Sequence, residues 1–319
     1  MSYFVSLFFM NKFLLKILLF VLPVLTLLLL LEISIKSLPN NYSYKKRYLD
    51  SNSNTIKVLF LGNSHAYYGI NPSYIHENSF NASYVSQSIN YDYKILQKYR
   101  DNWKNLAFVC IPLDYSTLYN RLEYGSENFR KKNYANYFEI PSTDFFWKNI
   151  ELVNGKISEN CLRLYRAYKK RKKSGMNDIS CSKLGWGKWA KTKIDINIAG
   201  KIAALRQQLN SNNFLNKNVA DFKDVISFLK LNNTQLVLYT PPACKAYIQS
   251  FDADQFEIIR NIGLDLAKNN SNVTYFDFMP DSSFSENDFH DGDHLCIEGA
   301  QKLSKKIDSV LNEMLSKKN

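Results

Sequence analysis

Apolar positions along this chain follow three regimes. From Phe13 to Leu31 they are almost continuous, interrupted only by Lys16, Pro23 and Thr26, and a run of that length crosses a bilayer as one helix. From Pro39 to Asn54 they lose periodicity in an Asn-, Tyr- and Lys-rich stretch, which reads as a tether. Beyond it, short apolar runs alternate with segments whose apolar residues recur at helical spacing.

The runs are Ile56–Leu61, Ala82–Ser86, Leu106–Ile111, Leu236–Thr240 and Val273–Phe278. Between and after them, Tyr91, Ile95, Leu96, Tyr99 and Trp103 predict a helix, as do Val219, Phe222, Val225, Ile226 and Leu229. Phe256, Ile259, Ile262 and Leu266 predict a third, and Ile297, Ala300, Leu303, Ile307, Val310 and Met314 a last one. Strands alternating with helices predict an α/β fold: a parallel, flavodoxin-like sheet in a three-layer α/β/α sandwich. The stretch from about 116 to 197 loses the alternation and reads as an insertion. The expected organisation is a stub over 1–12, a transmembrane anchor over 13–33, a linker over 34–54 and one domain over 55–319.

The region after the apolar span, Glu32-Ile33-Ser34-Ile35-Lys36, offers no small-residue cleavage site, so an uncleaved anchor is expected rather than a signal peptide. Lysines flank both ends of the span, which leaves the positive-inside rule ambiguous. A single N-terminal span ahead of a globular domain nevertheless predicts an extracytoplasmic (periplasmic or cell-surface) domain on a single-pass membrane protein. The net charge of +12 then points to anionic lipid or glycan rather than nucleic acid. Five cysteines without a C-x-x-C pair leave no metal framework. They read as free thiols, with a Cys161–Cys181 bridge as the lesser alternative.

In such a sheet, ligands bind at the strands' carboxyl ends, and the polar residues there carry the chemistry. Gly62-Asn63-Ser64-His65 follows the first strand, and Asp291-Gly292-Asp293-His294 precedes the last helix. A serine becomes a good nucleophile when an imidazole takes its proton and a carboxylate holds that imidazole. Each motif alone has a bland reading, since Gly-Asn turns are common and Asp291 or Asp293 can cap a helix. His290 joins the second cluster, but a metal is not expected there. Trp186 and Trp189, on a Gly-flanked loop in the insertion, are either a small satellite core or a platform for sugar rings. The basic run Lys169–Lys173 is a solvated face or a contact for anionic headgroups.

Taken together, Gly62-Asn63-Ser64 and Asp291-x-x-His294, with Leu295 and Gly299-Ala300 behind them, resemble the motifs of the SGNH (GDSL-like) hydrolase superfamily. The resemblance implies the SGNH fold, with Ser64 as nucleophile, His294 as general base and then acid, and Asp291 as its orienting carboxylate. Asp293 would be structural or a cap, and no cofactor is implied. The superfamily's second-block Gly and third-block Gly-x-Asn-Asp have no counterpart here. The oxyanion hole and substrate pocket are therefore expected around the Ser64 amide, Ser88 and Asn90, with Asn63 and His65 alongside. The span, the Ser64-His65 and Tyr67–Pro72 stretch, and Thr240-Pro241-Pro242 look like envelope-tethered members that esterify or O-acylate polysaccharide, including alginate acetylation and teichoic acid D-alanyl transfer proteins. That likeness covers roughly 56–116 and 219–315. It implies an acylated polysaccharide substrate and, for a transferase, an integral membrane acyltransferase partner. The alternative is a non-catalytic glycan-binding or assembly subunit that keeps the fold.

Overall fold

The computed structural model describes residues 2–141, 146–154, 157–171, 179–208 and 214–317. In chain order the main helices are α1 (Ser2–Lys36), α2 (Asn41–Asn52), α3 (Ser64–Gly69), α4 (Ile89–Lys98), α5 (Tyr115–Tyr119), α6 (Lys131–Tyr137), α7 (Glu151–Asn154), α8 (Ile157–Arg171), α9 (Ile196–Gln207), α10 (Leu215–Leu231), α11 (Lys245–Ser250), α12 (Ala253–Asn269) and α13 (Ile297–Ser316). The strands are β1 (Val58–Phe60), β2 (Ser79–Asn81), β3 (Phe108–Pro112), β4 (Gln235–Thr240) and β5 (Val273–Asp277). The chain forms two compact units, one of residues 1–40 with 132–179, the other of 41–131 with 180–319.

The second unit holds a fully parallel sheet in the order β2-β1-β3-β4-β5, the flavodoxin-like α/β arrangement the alternation predicts. Its central strands are buried along their whole length, as parallel strands covered on both faces must be. Right-handed crossovers place α4, α10 and α12 on one face, with α4 packed on α10, while α3 and α13 pair on the other. The order reverses between β1 and β3, and the crevice at their carboxyl ends is where such sheets take ligands.

Three expectations are corrected here. The stretch read as a linker forms α2, which buries Asn41, Tyr42, Lys45 and Leu49 in the second unit. Its inward stripe has helical spacing but polar identities, so hydropathy hides it. Asn41 accepts from the Ser180 N–H at 2.7 Å and donates to Ser180 Oγ at 2.7 Å. Lys45 donates to the Ser83 carbonyl and lies 4.4 Å over the Tyr67 ring, and burial pushes its ammonium down to about 7.

The second strand is Ser79–Asn81 rather than Ala82–Ser86. The chain keeps bonding to β1 through Ala82 N–H to the Phe60 carbonyl and Tyr84 N–H to the Gly62 carbonyl, then turns at Ser86, which has a left-handed φ of 58°. The insertion is split: 132–179 belongs to the unit that contains α1, and 180–197 returns to the sheet-bearing unit. Helix α1 contains a span of 25 residues, Lys12–Lys36, long and apolar enough to cross a membrane. The five cysteines are free, so Cys161 and Cys181 are not bridged. Of the Lys169–Lys173 run, Lys172 and Lys173 lie outside the described residues.

Candidate active site

Residue 62 must be glycine. Its φ is +106°, and a Cβ there would lie 2.5 Å from Pro112 Cδ, so only glycine lets β1 turn this close to the end of β3. The Gly62 N–H donates to Asp92 Oδ1 at 2.9 Å, and burial pushes that carboxyl up to about 8. Asn63 then caps α3, its Oδ1 accepting from the His65 N–H at 2.9 Å. Ser64 is thereby the first residue of a helix rather than part of an extended loop.

Ser64 Oγ lies 2.8 Å from His294 Nε2. On the other side of that ring, Nδ1 is 3.1 Å from both Asp291 oxygens and 3.2 Å from Asp293 Oδ1. Asp291 Oδ1 also accepts from the His294 N–H at 2.8 Å, so one carboxylate fixes both the backbone and the ring of the histidine. The loop is closed by the Phe289–Leu295 bridge and by the His290 N–H donating to the His294 carbonyl at 2.9 Å. Gly292 permits its seating: a Cβ there would sit 2.4 Å from Gly200 Cα on α9.

The structure thus brings Ser64, His294 and Asp291 together from the two ends of the sequence. With Nδ1–H directed at carboxylate, the neutral ring leaves Nε2 free to accept the Ser64 proton. This arrangement can activate a serine for attack on an acyl carbon. Burial alone would push the His294 imidazole down, but the Asp293 charge and the contacts to Asp291 and Asp293 outweigh it and lift it to about 9. Asp291 and Asp293 are lowered in turn; burial opposes ionisation of both, and the neighbouring His294 overcomes it.

His65, expected beside the substrate, is instead held half-buried in an ion-pair chain. Its Nδ1 is 2.7 Å from Asp114 Oδ2, and its Nε2 is 3.5 Å from Asp293 Oδ2, an ionic contact longer than a hydrogen bond. Burial disfavours its charge, yet Asp114 first and Asp293 second raise it to about 10. Asn63, also expected in the pocket, donates through Nδ2 to both Asp114 oxygens at 2.9 and 3.0 Å. Both ends of that amide are spent on holding the turn. Ser88 Oγ contacts Asn90 Oδ1 at 2.7 Å and accepts from the Leu122 N–H at 3.2 Å, while Asn90 donates to Glu123 at 2.7 Å. Their side chains are committed to the 122–123 segment.

In the sequence Asp293 carries only a structural or capping role, and Asp114 and Gln207, which donates to Asp293 Oδ2 at 2.6 Å, carry none. A signal for Asp114 existed: it follows β3 as Ser64 follows β1, and those strands are neighbours. A small space of about 10 Å³, room for about one water, lies between His65, Asp293, Gln207 and the Pro241–Pro242 turn. His65, Asp293 and His294 offer ligand atoms spread over up to 4.8 Å. Two ligands of one zinc at ~2.1 Å each cannot be more than about 4.2 Å apart, so the three do not form a ready-made zinc site.

The two tryptophans are packed rather than offered to sugars. Trp186 is buried, its Nε1 donating to the Tyr68 carbonyl at 2.7 Å. Trp189 stacks on Tyr68 at 4.0 Å and on His290 at 3.9 Å. Two rings cannot share one face at those distances, so both faces of the indole are covered, and its edge approaches His294 at 5.4 Å. The tryptophan pair therefore clamps the 181–190 segment onto α3 and onto the histidine loop.

No protein-family model and no curated protein matches the chain. Among solved structures it is similar to a candidate platelet activating factor protein from Streptococcus pneumoniae, at 14% identity over 92% of this chain and 98% of that one, with a TM-score of 0.41. It is also similar to a candidate acylhydrolase from Bacteroides fragilis, at 14% identity over 84% and 96%, TM-score 0.39. A third is a GDSL-like lipase from Bacteroides thetaiotaomicron, at 12% identity over 87% and 100%, TM-score 0.39. Scores of this size carry no weight for activity, which rests on the distances above.

Proposed function

We propose that the protein is a membrane-anchored, extracytoplasmic serine esterase or O-acyltransferase of SGNH type, acting on acylated cell-envelope or capsular polysaccharide. The carrying observation is the 2.8 Å approach of Ser64 Oγ to His294 Nε2 with Asp291 on the opposite nitrogen. Ser64 Oγ attacks the ester carbonyl while His294 takes its proton. The same imidazolium returns that proton to the departing alkoxide, leaving an acyl-serine. Water resolves it in an esterase and a sugar hydroxyl in a transferase, with His294 deprotonating either one. The Ser64 N–H, at the start of α3, is the first oxyanion donor in this reading. The anchor at 13–33 would keep a transferase beside an integral membrane acyltransferase that supplies the acyl group. Turnover of p-nitrophenyl acetate tests the chemistry: Ser64→Ala and His294→Ala should each lose about 10⁴-fold or more in kcat, and unchanged turnover in both would exclude the reading.

A second reading has its own observation. Asn63, Ser88 and Asn90 are all committed to other partners, which leaves few side chains to hold an oxyanion. A glycan-binding or assembly subunit that retains the fold accounts for that. It predicts no turnover and a glycan affinity indifferent to Ser64→Ala.

A further inference from the structure

The unit containing α1 carries a second surface with a chemistry of its own. Residues 12 to 30 of α1 are exposed throughout, and burial begins only at Leu31 and Glu32. There Glu32 accepts from the N–H groups of Glu151 and Leu152, at 2.9 and 3.0 Å, and also pairs with Lys36 at 3.0 Å. Both α7 and α8 pack on α1. About 20 helical residues cross the hydrocarbon core, so a span that starts near residue 12 brings Glu32 and its partners to headgroup depth.

Helix α8 is two-sided. Asn160, Arg163, Leu164 and Ala167 are buried or half-buried on one side, at a spacing of three and four. On the other, Leu162, Tyr165 and Tyr168 are 44%, 53% and 62% exposed, and Trp147 and Val153 just before α8 are 46% and 65% exposed. Arg166 and Lys169 are exposed beside them, with Lys169 Nζ 4.9 Å over the Tyr165 ring. Apolar and aromatic side chains mixed with cations, next to the end of a span, match the requirements of the bilayer interface, where Trp and Tyr settle at headgroup level and Lys and Arg meet anionic lipid.

We propose that residues 147–154 and 157–169 form a membrane-surface foot: α8 lies in the headgroup region of an anionic bilayer, with Leu162, Tyr165 and Tyr168 toward the acyl boundary and Arg166 and Lys169 among the phosphates. The foot rests on the reading of α1 as a membrane anchor. It would restrict how the anchored chain tilts at the surface, because Glu32 ties the foot's first turn to the span itself. The occupant is lipid rather than protein, since the foot is continuous with the bilayer-crossing helix and carries the charge complementary to anionic headgroups.

The test uses the full chain in vesicles, with a fluorophore on Cys161, the exposed cysteine beside Leu162, and Cys161→Ser as the labelling control. Lipids carrying a quencher at shallow or deep acyl positions read its depth. Shallow quenching in vesicles containing phosphatidylglycerol, several-fold weaker in Arg166→Glu/Lys169→Glu and in purely zwitterionic vesicles, is expected. Ester hydrolysis by that double variant should be unchanged. A parallel Leu22→Cys label reports the anchor and should be quenched by the deep lipid. Deep quenching at residue 22 with no quenching at Cys161 overturns the foot and leaves the anchor standing, and the stripe then belongs to a protein partner. No quenching at residue 22 overturns the anchor itself, and the foot with it.

Discussion

His65 and His294 stack with their ring centroids 4.8 Å apart, and the Asp293 carboxylate touches both, at 3.5 Å from one and 3.2 Å from the other. The histidine that faces Ser64 is thus coupled to a second imidazole through a shared, buried anion. Against the burial of His294, the Asp293 charge raises its basicity together with the contact to Asp291, while the nearby His65 charge lowers it.

The first consequence is a high pH requirement. A base must be neutral to accept the serine proton, and the imidazole of His294, lifted to about 9, stays protonated through neutral pH. The value of kcat/KM for a small ester should therefore rise with pH to a midpoint near 9. In Asp293→Asn the carboxylate charge is gone, and the midpoint should fall by roughly 1–3 units. A midpoint near 6.5 in the parent, unmoved in the variant, would contradict this coupling.

Two carboxylates near one Nδ1 predict redundancy. Loss of the single buried aspartate of a serine triad costs about 10⁴-fold in kcat. Here Asp291→Asn alone should cost clearly less, because Asp293 Oδ1 remains 3.2 Å from the ring. Asp291→Asn/Asp293→Asn should reach the full loss. Steady-state kinetics of the two singles and the double measure it, and additive small effects would argue against sharing.

The His65–Asp114 pair should set the pH range of stability. His65 is raised from 6.5 to about 10, so its contribution is complete below pH 6.5 and is lost as pH climbs through 10. Asp114 is lowered from 3.8, against its burial, chiefly by the His65 charge, so its contribution is present above 3.8 and is lost as pH falls through its depressed value. Removing one partner of a buried ion pair costs about 3–5 kcal/mol. Urea unfolding of His65→Gln should show a loss of that order at pH 6 and a much shallower decline toward pH 10. A parent whose stability stays flat between pH 7 and 10 would refute the charged pair.

Gly292→Ala should injure the site through packing. The new methyl would meet Gly200 on α9 at 2.4 Å, and overpacking of this kind costs about 1–3 kcal/mol. A displacement of about 1 Å in the histidine loop costs on the order of 10²-fold in rate. Activity should thus fall far more than Tm. A fully active Gly292→Ala would mean that the loop seats without that close approach.

Much of this was legible in the order of residues. The parallel sheet follows from apolar runs alternating with helical spacing, and Ser64, Asp291 and His294 stand out through the joint resemblance of their two motifs to those of SGNH hydrolases. What hydropathy hid was polar packing. Helix α2 buries Asn41 and Lys45 on its inward stripe, so its periodicity is invisible to a hydrophobic scan. Asp114 and Asp293 matter through contacts made across 49 and 228 positions from His65, distances that only the strand order resolves. Trp189 resembled a sugar platform because its loop is Gly-flanked, whereas Tyr68 and His290 cover both of its faces.

The central claim, that Ser64 is an activated nucleophile, is tested most directly by exposing the full-length protein to a fluorophosphonate at pH 9 and locating the adduct by peptide mass spectrometry. A single adduct on Ser64, absent in Ser64→Ala and slowed by orders of magnitude in His294→Ala, is the predicted result. Failure to label Ser64 at any pH from 6 to 10, in protein that remains folded, would contradict the claim and favour the glycan-binding reading.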